Sequence, residues 1–392
     1  MAEGAFLDTE LEDMAVRSAR VTSPCLRGRR WLRLVLVVVV LAFVPVIYSY
    51  VTTVLRPSRL TLSVPAVSRQ GGSIVKTLAK IAAMAPIPTR VAHARTAGVV
   101  SEPPVTGPPL PAPTALRLFD SPGLSGEGQW HPAGRLADGV PAIYETELRP
   151  PGSGAPAGVA WMDTRILAAR LYSGSDGSPG KGRWHYTAPI RPLDAATVVA
   201  AFNGGFKVAD AEGGYYTQGT WVVPPRKGSA TLVIYAKGTV ALGAWGTDVR
   251  MTPDVVSVRQ NLHLLVIDAH PAADAGVVSD WGATLGGVSS TWRSGLGITR
   301  NGALVYVAGP DLYPLLLADL LIRAGAVRAM ELDINPDWTV LATYQPSVAG
   351  GRATPANGAS LIQGMTQGPW TFFEAWWARD FVTLSARSPT VP

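Results

Sequence analysis

The chain has 392 residues, a formal net charge of +6, one cysteine and 47% hydrophobic residues, with only 16% charged residues. This balance excludes a wholly disordered chain, which needs low hydrophobicity and a high net charge, and a single cysteine excludes an internal disulfide framework. The many Gly (41) and Pro (33) residues disfavour a coiled coil or a helical bundle.

The first predicted element is a membrane-spanning helix. Residues 34–55 contain no charged side chain, and about 20 such residues span a bilayer as a helix. Four arginines lie just before this run and two just after it, so the positive-inside rule predicts a cytoplasmic tail at 1–33 and an extracytoplasmic remainder. The run is longer than the apolar region of a signal peptide and lacks an A-x-A cleavage pattern. The sequence therefore predicts a single-pass cell-membrane protein with an uncleaved signal anchor.

A linker rich in Pro and Ala is predicted over 56–115. Residues 73–85 have the pattern of a short amphipathic helix, and residues 102–113 contain six prolines in twelve positions, which favours a semi-rigid polyproline stalk. After residue 34 there is no run of Lys and Arg with interleaved aromatic residues. Nucleic acid is therefore not an expected partner.

From residue 116 to residue 392 the sequence predicts one domain. Short runs of strand-forming residues are separated by Gly, Pro, Asn and Asp, which indicates an α+β fold with a strand-rich mixed sheet and few helices. The predicted strands cover 158–163, 166–172, 197–202, 230–235, 239–245, 262–268, 296–300, 303–308 and 327–333. The pair Asn301-Gly302 predicts a tight hairpin turn. One helix is predicted over 313–324, with Gly325 at its C-terminal cap.

Two polar segments next to predicted strands are candidates for ligand binding. Asn203 ends a hydrophobic strand, and its amide has the donors and acceptor that suit sugar hydroxyls. Gly204 and Gly205 follow it and would allow a ligand to approach the backbone closely. Arg293 opens a strand, where its guanidinium could bind a phosphate through two parallel hydrogen bonds. The alternatives are an ordinary strand-ending turn and a surface arginine paired with a carboxylate.

Two carboxylates, Glu331 and Asp333, lie at the end of a predicted buried strand. Side chains two positions apart in a strand point to the same face, so the pair could act as acid and base or hold a cation. The spacing of Asp333, Asn335 and Asp337 resembles the start of a calcium loop, but Trp338 stands where that loop requires Gly. An EF-hand is therefore excluded, and a different divalent-cation site stays open.

An aromatic segment, residues 370–377, has five aromatic side chains in eight positions. Core packing is the commonest explanation for such a run. Stacking on sugars and contact with a lipid surface are the alternatives.

In this order and spacing, the segments resemble those of the phosphodiester glycosidase family. The matching segments are 203–206, 260–266, 293–302, 315–333 and 379–381, so the resemblance covers about residues 155–385. The chain departs from the family after Asp333, where the usual Gly-Gly-Gly-Ser is replaced by Ile-Asn-Pro-Asp-Trp. Bulky Trp338 and rigid Pro336 then reshape this part of the site.

The resemblance implies hydrolysis of a sugar-1-phosphodiester in envelope glycan metabolism, with a phosphorylated glycan or a sugar-1-phosphodiester as the substrate. It implies that Asp333 acts as base or nucleophile, that Glu331 or Asp337 is a second carboxylate, and that Arg293 holds the phosphodiester. The side chains and backbone expected to bind substrate belong to Asn203, Gly204, Gly205, Asp337 and His263.

No cofactor is required by these assignments, although a divalent cation stays open. The alternative function is a non-catalytic glycan-binding protein on the same fold, which the missing Gly-Gly-Gly-Ser favours. The frequent use of Ala, Val, Arg and Gly indicates a bacterial genome, and hence a cell envelope as the outer compartment.

Overall fold

The computed structural model describes residues 107–119, 123–175, 179, 182, 184–283, 288, 290–377 and 379–387, which belong to one unit of the chain. The strands in chain order are β1 (His131–Ala137), β2 (Val140–Leu148), β3 (Ala157–Met162), β4 (Leu167–Tyr172), β5 (Val198–Asn203), β6 (Tyr215–Thr217), β7 (Thr220–Val223), β8 (Ala230–Tyr235), β9 (Val240–Ala244), β10 (Val255–Gln260), β11 (Leu264–Ile267), β12 (His270–Pro271), β13 (Thr291–Thr299), β14 (Leu304–Leu312), β15 (Ala326–Asp333), β16 (Leu341–Tyr344), β17 (Gly358–Ser360) and β18 (Phe381–Ala386). Two α-helices accompany them in this part of the chain, α1 (Val208–Ala211) and α2 (Pro314–Arg323).

The strands form three sheets. The first has eight strands in the order β1-β2-β3-β14-β13-β15-β11-β12. The second has five in the order β7-β6-β10-β8-β9, and the third has five in the order β17-β16-β5-β18-β4. Every pair of named strands is antiparallel, and two isolated bridges outside them are parallel.

The main hydrophobic core lies where faces of all three sheets meet. Tyr306 comes from the first sheet, Leu232 from the second and Phe202 from the third, and all are buried. The rings of Phe202 and Tyr306 lie 5.6 Å apart. Because each buried side chain of this size contributes about 1.5–3 kcal/mol, this core holds the three sheets together.

Helix α2 covers the other face of the first sheet and builds a second core. Its Leu317, Leu320 and Leu321 are fully buried against strands of that sheet. Pro314 is its first residue, where no backbone donor is lost. Gly325, just after the helix, has a φ of +95°, a conformation that glycine adopts readily. The predicted helix and its cap are thus confirmed.

The strands that sequence patterns predicted are present with bounds that differ by a few residues. The predicted hairpin joins β13 and β14, where Gly302 has a φ of +91° and its N–H donates to the Thr299 carbonyl at 3.0 Å. A positive φ at this position explains why the turn needs glycine.

The predicted membrane-spanning helix requires a correction. Residues 34–55, like the predicted tail at 1–33 and the predicted helix at 73–85, lie outside the described residues. In the part of the chain that the structure does describe, no helix is long and apolar enough to span a membrane. Helix α2 has ten residues, a rise of about 15 Å, which is about half of a bilayer's hydrocarbon core. The strand-rich part of the predicted fold class is confirmed. The transmembrane helix that it included and the predicted single-pass membrane localisation are corrected, because the described residues do not support them.

The end of the predicted stalk packs against the first sheet. Leu110 is buried, and its backbone N–H donates to Asp163 Oδ2 at 2.7 Å. Arg165 Nη1 donates to the Pro108 carbonyl at 3.0 Å. This part of the segment is thus held by the fold.

Glu145 is a half-buried carboxylic acid in β2, beside a cavity of about 380 Å³. Burial raises the pKa of Glu145 from 4.5 to about 7, although a hydrogen bond with Thr343 acts in the opposite direction. Its Oε1 has no hydrogen-bond partner among the described residues. The folded protein therefore binds this proton more tightly than the unfolded chain does.

The stability that the Glu145 proton provides is fully present below pH 4.5 and is lost as the pH rises to about 7. The Glu145→Gln variant is uncharged throughout, so it should gain about 3 kcal/mol relative to wild type between pH 4.5 and pH 8. Urea unfolding at both pH values measures this change. Glu147→Gln, an exposed position on the same strand, serves as the control and should show no such gain. A constant difference between Glu145→Gln and wild type would contradict the prediction.

Candidate functional site

Four chain segments that are distant in sequence meet at one end of β5. Asn203 ends β5, and Asp333 ends β15. Arg379 and Asp380 directly precede β18, which pairs with β5. Arg259 lies near the end of β10. All five side chains are buried. Asp333 pairs with Arg379, Arg259 pairs with Asp380, and Asn203 is joined to Asp333 through Ser294, so the sheets together assemble one polar cluster.

Asp333 is the carboxylate at the centre of this cluster. Its Oδ1 accepts hydrogen bonds from the N–H groups of Ile334 at 2.8 Å and Asn335 at 3.0 Å, and its Oδ2 lies 2.6 Å from Arg379 Nη2. The residue is 3% exposed. Burial raises the pKa of the Asp333 carboxyl to about 6, while Arg379 and the two N–H groups oppose that rise. At neutral pH the carboxyl is therefore mainly ionised and can accept a proton.

Arg379 is the cation next to Asp333. Its Nη2 also donates to the Gly205 carbonyl at 2.7 Å, and its guanidinium carbon lies 5.0 Å from the centre of a Trp338 ring. Burial lowers the pKa of Arg379, but a guanidinium stays charged at neutral pH. Its Nε has no hydrogen-bond partner among the described residues. A buried cationic donor with spare capacity is suited to bind an anionic group.

The turn at Gly204 and Gly205 fits between two other parts of the cluster. A Cβ at Gly204 would lie 2.1 Å from Asp380 Oδ2, and the Gly204 N–H donates to the Asp380 carbonyl at 2.9 Å. Gly205 has a φ of +136°, and a Cβ there would lie 2.2 Å from Asn261 Oδ1. Neither position has room for a side chain. The two glycines thus serve close backbone packing within the cluster.

A second ion pair, between Arg259 and Asp380, lies against the turn at Gly204 and Gly205. Arg259 Nε lies 2.7 Å from Asp380 Oδ2, and its Nη2 lies 3.2 Å from Oδ1, so the contact is bidentate. Arg259 also donates to the carbonyls of Gln260 and Phe206. Because both charged groups are buried, each depends on the other to compensate its charge and its lost hydration. The sequence interpretation assigned no role to either residue.

Asn203 links sheets rather than facing an open space. Its Oδ1 accepts from Tyr306 Oη at 2.8 Å and from the Val340 N–H at 3.5 Å, and its Nδ2 donates to Ser294 Oγ at 3.1 Å. These bonds use both acceptor positions and one of the two donors of the amide. Asn203 is 2% exposed, so a sugar could reach at most its remaining N–H.

Arg293 and Glu331 form a separate, fully buried ion pair. Arg293 Nη1 lies 2.6 Å from Glu331 Oε1, and both side chains are 0% exposed. Arg293 also donates to the carbonyls of Leu312 at 2.9 Å and Trp281 at 3.1 Å. These contacts are those of a structural ion pair. The structure thus places Arg293 and Glu331, which we expected to act with Asp333, among backbone carbonyls away from any surface.

The remaining predicted binding residues lie outside the cluster. Asp337 is exposed on the loop after β15, where its N–H donates to Asn335 Oδ1 at 2.9 Å. His263 is 2.7 Å from Asp274, and its ring centre lies 4.2 Å from that of Trp281 with the ring planes tilted by 45°. Among the described residues, neither one forms a hydrogen bond or an ion pair with Asp333 or Arg379, so the structure does not bring them together with the cluster.

Metal-ligating side chains and cavities are the other features of the described ranges that bear on ligand binding. No group of three or more His, Cys, Asp or Glu side chains there is arranged to hold a metal ion. A cavity of about 760 Å³ lies between β4 and β8, and Asp333 does not line it. The cavity beside Glu145 likewise excludes Asp333.

No protein-family model matches the chain, and no curated protein matches it. It is similar to the catalytic domain of zebrafish N-acetylglucosamine-1-phosphodiester alpha-N-acetylglucosaminidase, auto-inhibited by its pro-peptide, at 12% identity and a TM-score of 0.39, over 66% of this chain and 88% of that chain. It is also similar to a hypothetical protein from Synechocystis, at 12% identity and a TM-score of 0.37, over 66% of this chain and 64% of that chain. These values describe a distant similarity in fold.

Proposed function

We propose that the protein hydrolyses a sugar-1-phosphodiester at the cluster around Asp333. The observation that supports this most strongly is the pairing of one carboxylate, whose pKa burial has raised to about 6, with a guanidinium that keeps a free donor. The turn of Gly204 and Gly205, which the family resemblance includes, packs against Arg379 and Asp380. A phosphodiester brings one negative charge and an electrophilic sugar carbon, and these two groups match that chemistry.

In this proposal Arg379 takes the role that the sequence interpretation gave to Arg293. Its guanidinium holds the phosphate and stabilises the charge that develops on the leaving phosphomonoester. Trp377 adds a second unpaired donor, because its buried Nε1 has no partner among the residues described and its ring lies 5.1 Å from that of Trp338. Two unpaired donors whose side chains both contact Trp338 favour an anionic ligand.

Asp333 supplies the carboxylate of the reaction. As a base it takes a proton from water that attacks the anomeric carbon, or as a nucleophile it attacks that carbon itself. In both cases the ionised form is the active one. The phosphate leaving group is a weak base, so a second carboxylate is not required as its acid.

The pH dependence of hydrolysis tests this assignment. The full chain is incubated with a panel of sugar-1-phosphodiesters and UDP-sugars, and the release of free sugar is followed between pH 4.5 and pH 8. We expect kcat/KM to rise with pH and to level off above about pH 6, because Asp333 ionises there. A rate that falls through pH 6 would show that the protonated form works and would contradict the assignment.

A second candidate function is glycan binding without turnover. It is favoured by the burial of Asp333, which is 3% exposed and accepts three hydrogen bonds. Two tryptophans from the segment before Arg379 are exposed. On this view the protein binds oligosaccharides and releases no sugar from any member of the panel. Replacing Asp333 would then leave the binding constant unchanged, which separates the two functions.

A further inference from the structure

Two tryptophans are exposed on the surface near the candidate site. Trp376 is 59% exposed and Trp370 is 37% exposed. Their ring centres lie 5.9 Å apart, and the ring planes are inclined by 42°. Leaving two large rings in water costs hydrophobic free energy, and such paired exposure commonly marks a binding surface. We call these two rings the tryptophan pair.

The segment that carries the tryptophan pair is firmly anchored. Phe372 and Trp377 come from the same segment and are fully buried in a core cluster. Tyr344 Oη donates to the Pro369 carbonyl at 2.7 Å. The exposed rings are therefore held in a fixed position before any ligand arrives, which reduces the entropy lost on binding.

A series of ring contacts connects the tryptophan pair to Asp333. The ring of Trp376 lies 6.2 Å from that of Trp377, which lies 5.1 Å from Trp338. Trp338 packs against the guanidinium of Arg379, which is ion-paired with Asp333 at 2.6 Å. The exposed rings are thus linked to the proposed reaction centre through buried Trp377 and through Trp338.

The segment that carries the tryptophan pair is almost uncharged. Between residues 363 and 377, Glu374 is the one charged residue. The exposed neutral residues Gln363 and Thr366 lie in the same stretch. A segment without Lys or Arg offers no basic side chain to anionic lipids or nucleic acids, which are bound through such groups. A pyranose ring does suit it, because its apolar C–H face stacks on an indole while its hydroxyls bind amides and hydroxyls.

We propose that the tryptophan pair is a subsite for a neutral glycan chain that continues from the sugar held at Asp333. This inference rests on the proposed function, because that function places the bond that is cut at Asp333. It specifies the substrate class: an oligosaccharide or polysaccharide with a phosphodiester at its end, rather than a single sugar nucleotide. The stacked sugars add binding energy far from the reacting bond.

The test compares two substrates with the same bond to be cut. One is the methyl phosphodiester of a single sugar-1-phosphate, and the other is that of the matching tetrasaccharide. In the full chain, Trp370→Ala/Trp376→Ala should raise KM for the tetrasaccharide by about 10- to 100-fold and leave kcat unchanged. The same variant should leave both constants for the single sugar unchanged. Trp370→Phe/Trp376→Phe should restore most of the affinity, and Tyr313→Ala, an exposed aromatic residue beside α2, is the matched control.

Equal effects on the two substrates, or no effect on either, would overturn the subsite. A binding measurement separates this outcome from failure of the proposed function. Neutral hexasaccharides of glucose and of N-acetylglucosamine are titrated into wild type and the Ala variant without any turnover. Binding that depends on the rings would support the subsite even if no bond is cut. Ring-dependent binding to phosphatidylcholine vesicles, with none to the hexasaccharides, would overturn it in favour of a lipid surface.

Discussion

Asp333→Asn is expected to lower kcat/KM for sugar-1-phosphodiester hydrolysis by about 10³-fold. An amide cannot take the proton from water or attack the anomeric carbon, and general-base catalysis alone contributes about 10²–10⁴-fold. The amide oxygen can still accept the N–H groups of Ile334 and Asn335, so the local turn is retained. Free-sugar release at pH 7, together with thermal unfolding of the variant, measures the effect on catalysis separately from the effect on folding.

The control for this variant is Asp319→Asn, which also removes a carboxylate paired with an arginine. Asp319 Oδ2 lies 3.1 Å from Arg323 Nε on an exposed part of α2. Its replacement should change kcat/KM by less than about twofold, because an exposed ion pair contributes little. A folded Asp333→Asn protein with wild-type activity would contradict the proposed role. If that variant binds oligosaccharides normally while wild type also fails to hydrolyse any, the glycan-binding function is the correct one.

Arg293→Ala should destabilise the fold by about 3–5 kcal/mol, because it leaves Glu331 buried without its counter-charge. It also removes the guanidinium that donates hydrogen bonds to the carbonyls of Leu312 and Trp281. Burial raises the pKa of Glu331 to about 7 while Arg293 lowers it. Without Arg293 that pKa rises further, so the destabilisation should be larger at pH 8 than at pH 5. Urea unfolding at these two pH values measures both effects.

The double variant Arg293→Met/Glu331→Leu is the matching control. It removes both charges together and fills the space with apolar side chains, so it should recover most of the stability lost in Arg293→Ala. The opposite result, a stable Arg293→Ala protein that has lost hydrolysis, would return Arg293 to the catalytic role that the sequence suggested. A destabilised Arg293→Ala protein that the double variant rescues supports the structural role. A stable Arg293→Ala protein without hydrolysis supports the catalytic role.

Strands with continuous apolar runs could be predicted from sequence, and strands stabilised by distant partners could not. The run ATLVIY of β8 and the Asn-Gly turn between β13 and β14 carry local signals that their structures confirm. By contrast, β10 ends in Arg259 and Gln260, which are polar in sequence but fully buried. Asp380, far along the chain, supplies the counter-charge for buried Arg259, and no local pattern contains that information.

The same limit applies to the candidate site. The glycines after β5 and the carboxylate ending β15 were visible as polar or flexible residues at strand ends, and the structure brings Asn203, Gly204, Gly205 and Asp333 into one cluster. Arg379 and Asp380 were noted only as part of a family-like ending. Two adjacent charges directly before the apolar run of β18 were the available signal. The burial of Arg293 could not be predicted, because a strand-opening arginine has the same local sequence whether it pairs inside the fold or faces a ligand.

The position of β18 has a consequence for the protein during its synthesis. This strand, last in the order of the described residues, lies between β5 and β4 rather than at a sheet edge. Until the ribosome has delivered it, β5 and β4 each lack a neighbour, and Asp333 and Arg259 lack the charges that Arg379 and Asp380 bring. A nascent chain therefore exposes two unpaired strand edges for most of its elongation, which is the situation in which chaperones are needed. The polar cluster around Asp333 and the completed fold should consequently appear in one late, cooperative step, and chains cut before residue 379 should accumulate in aggregates.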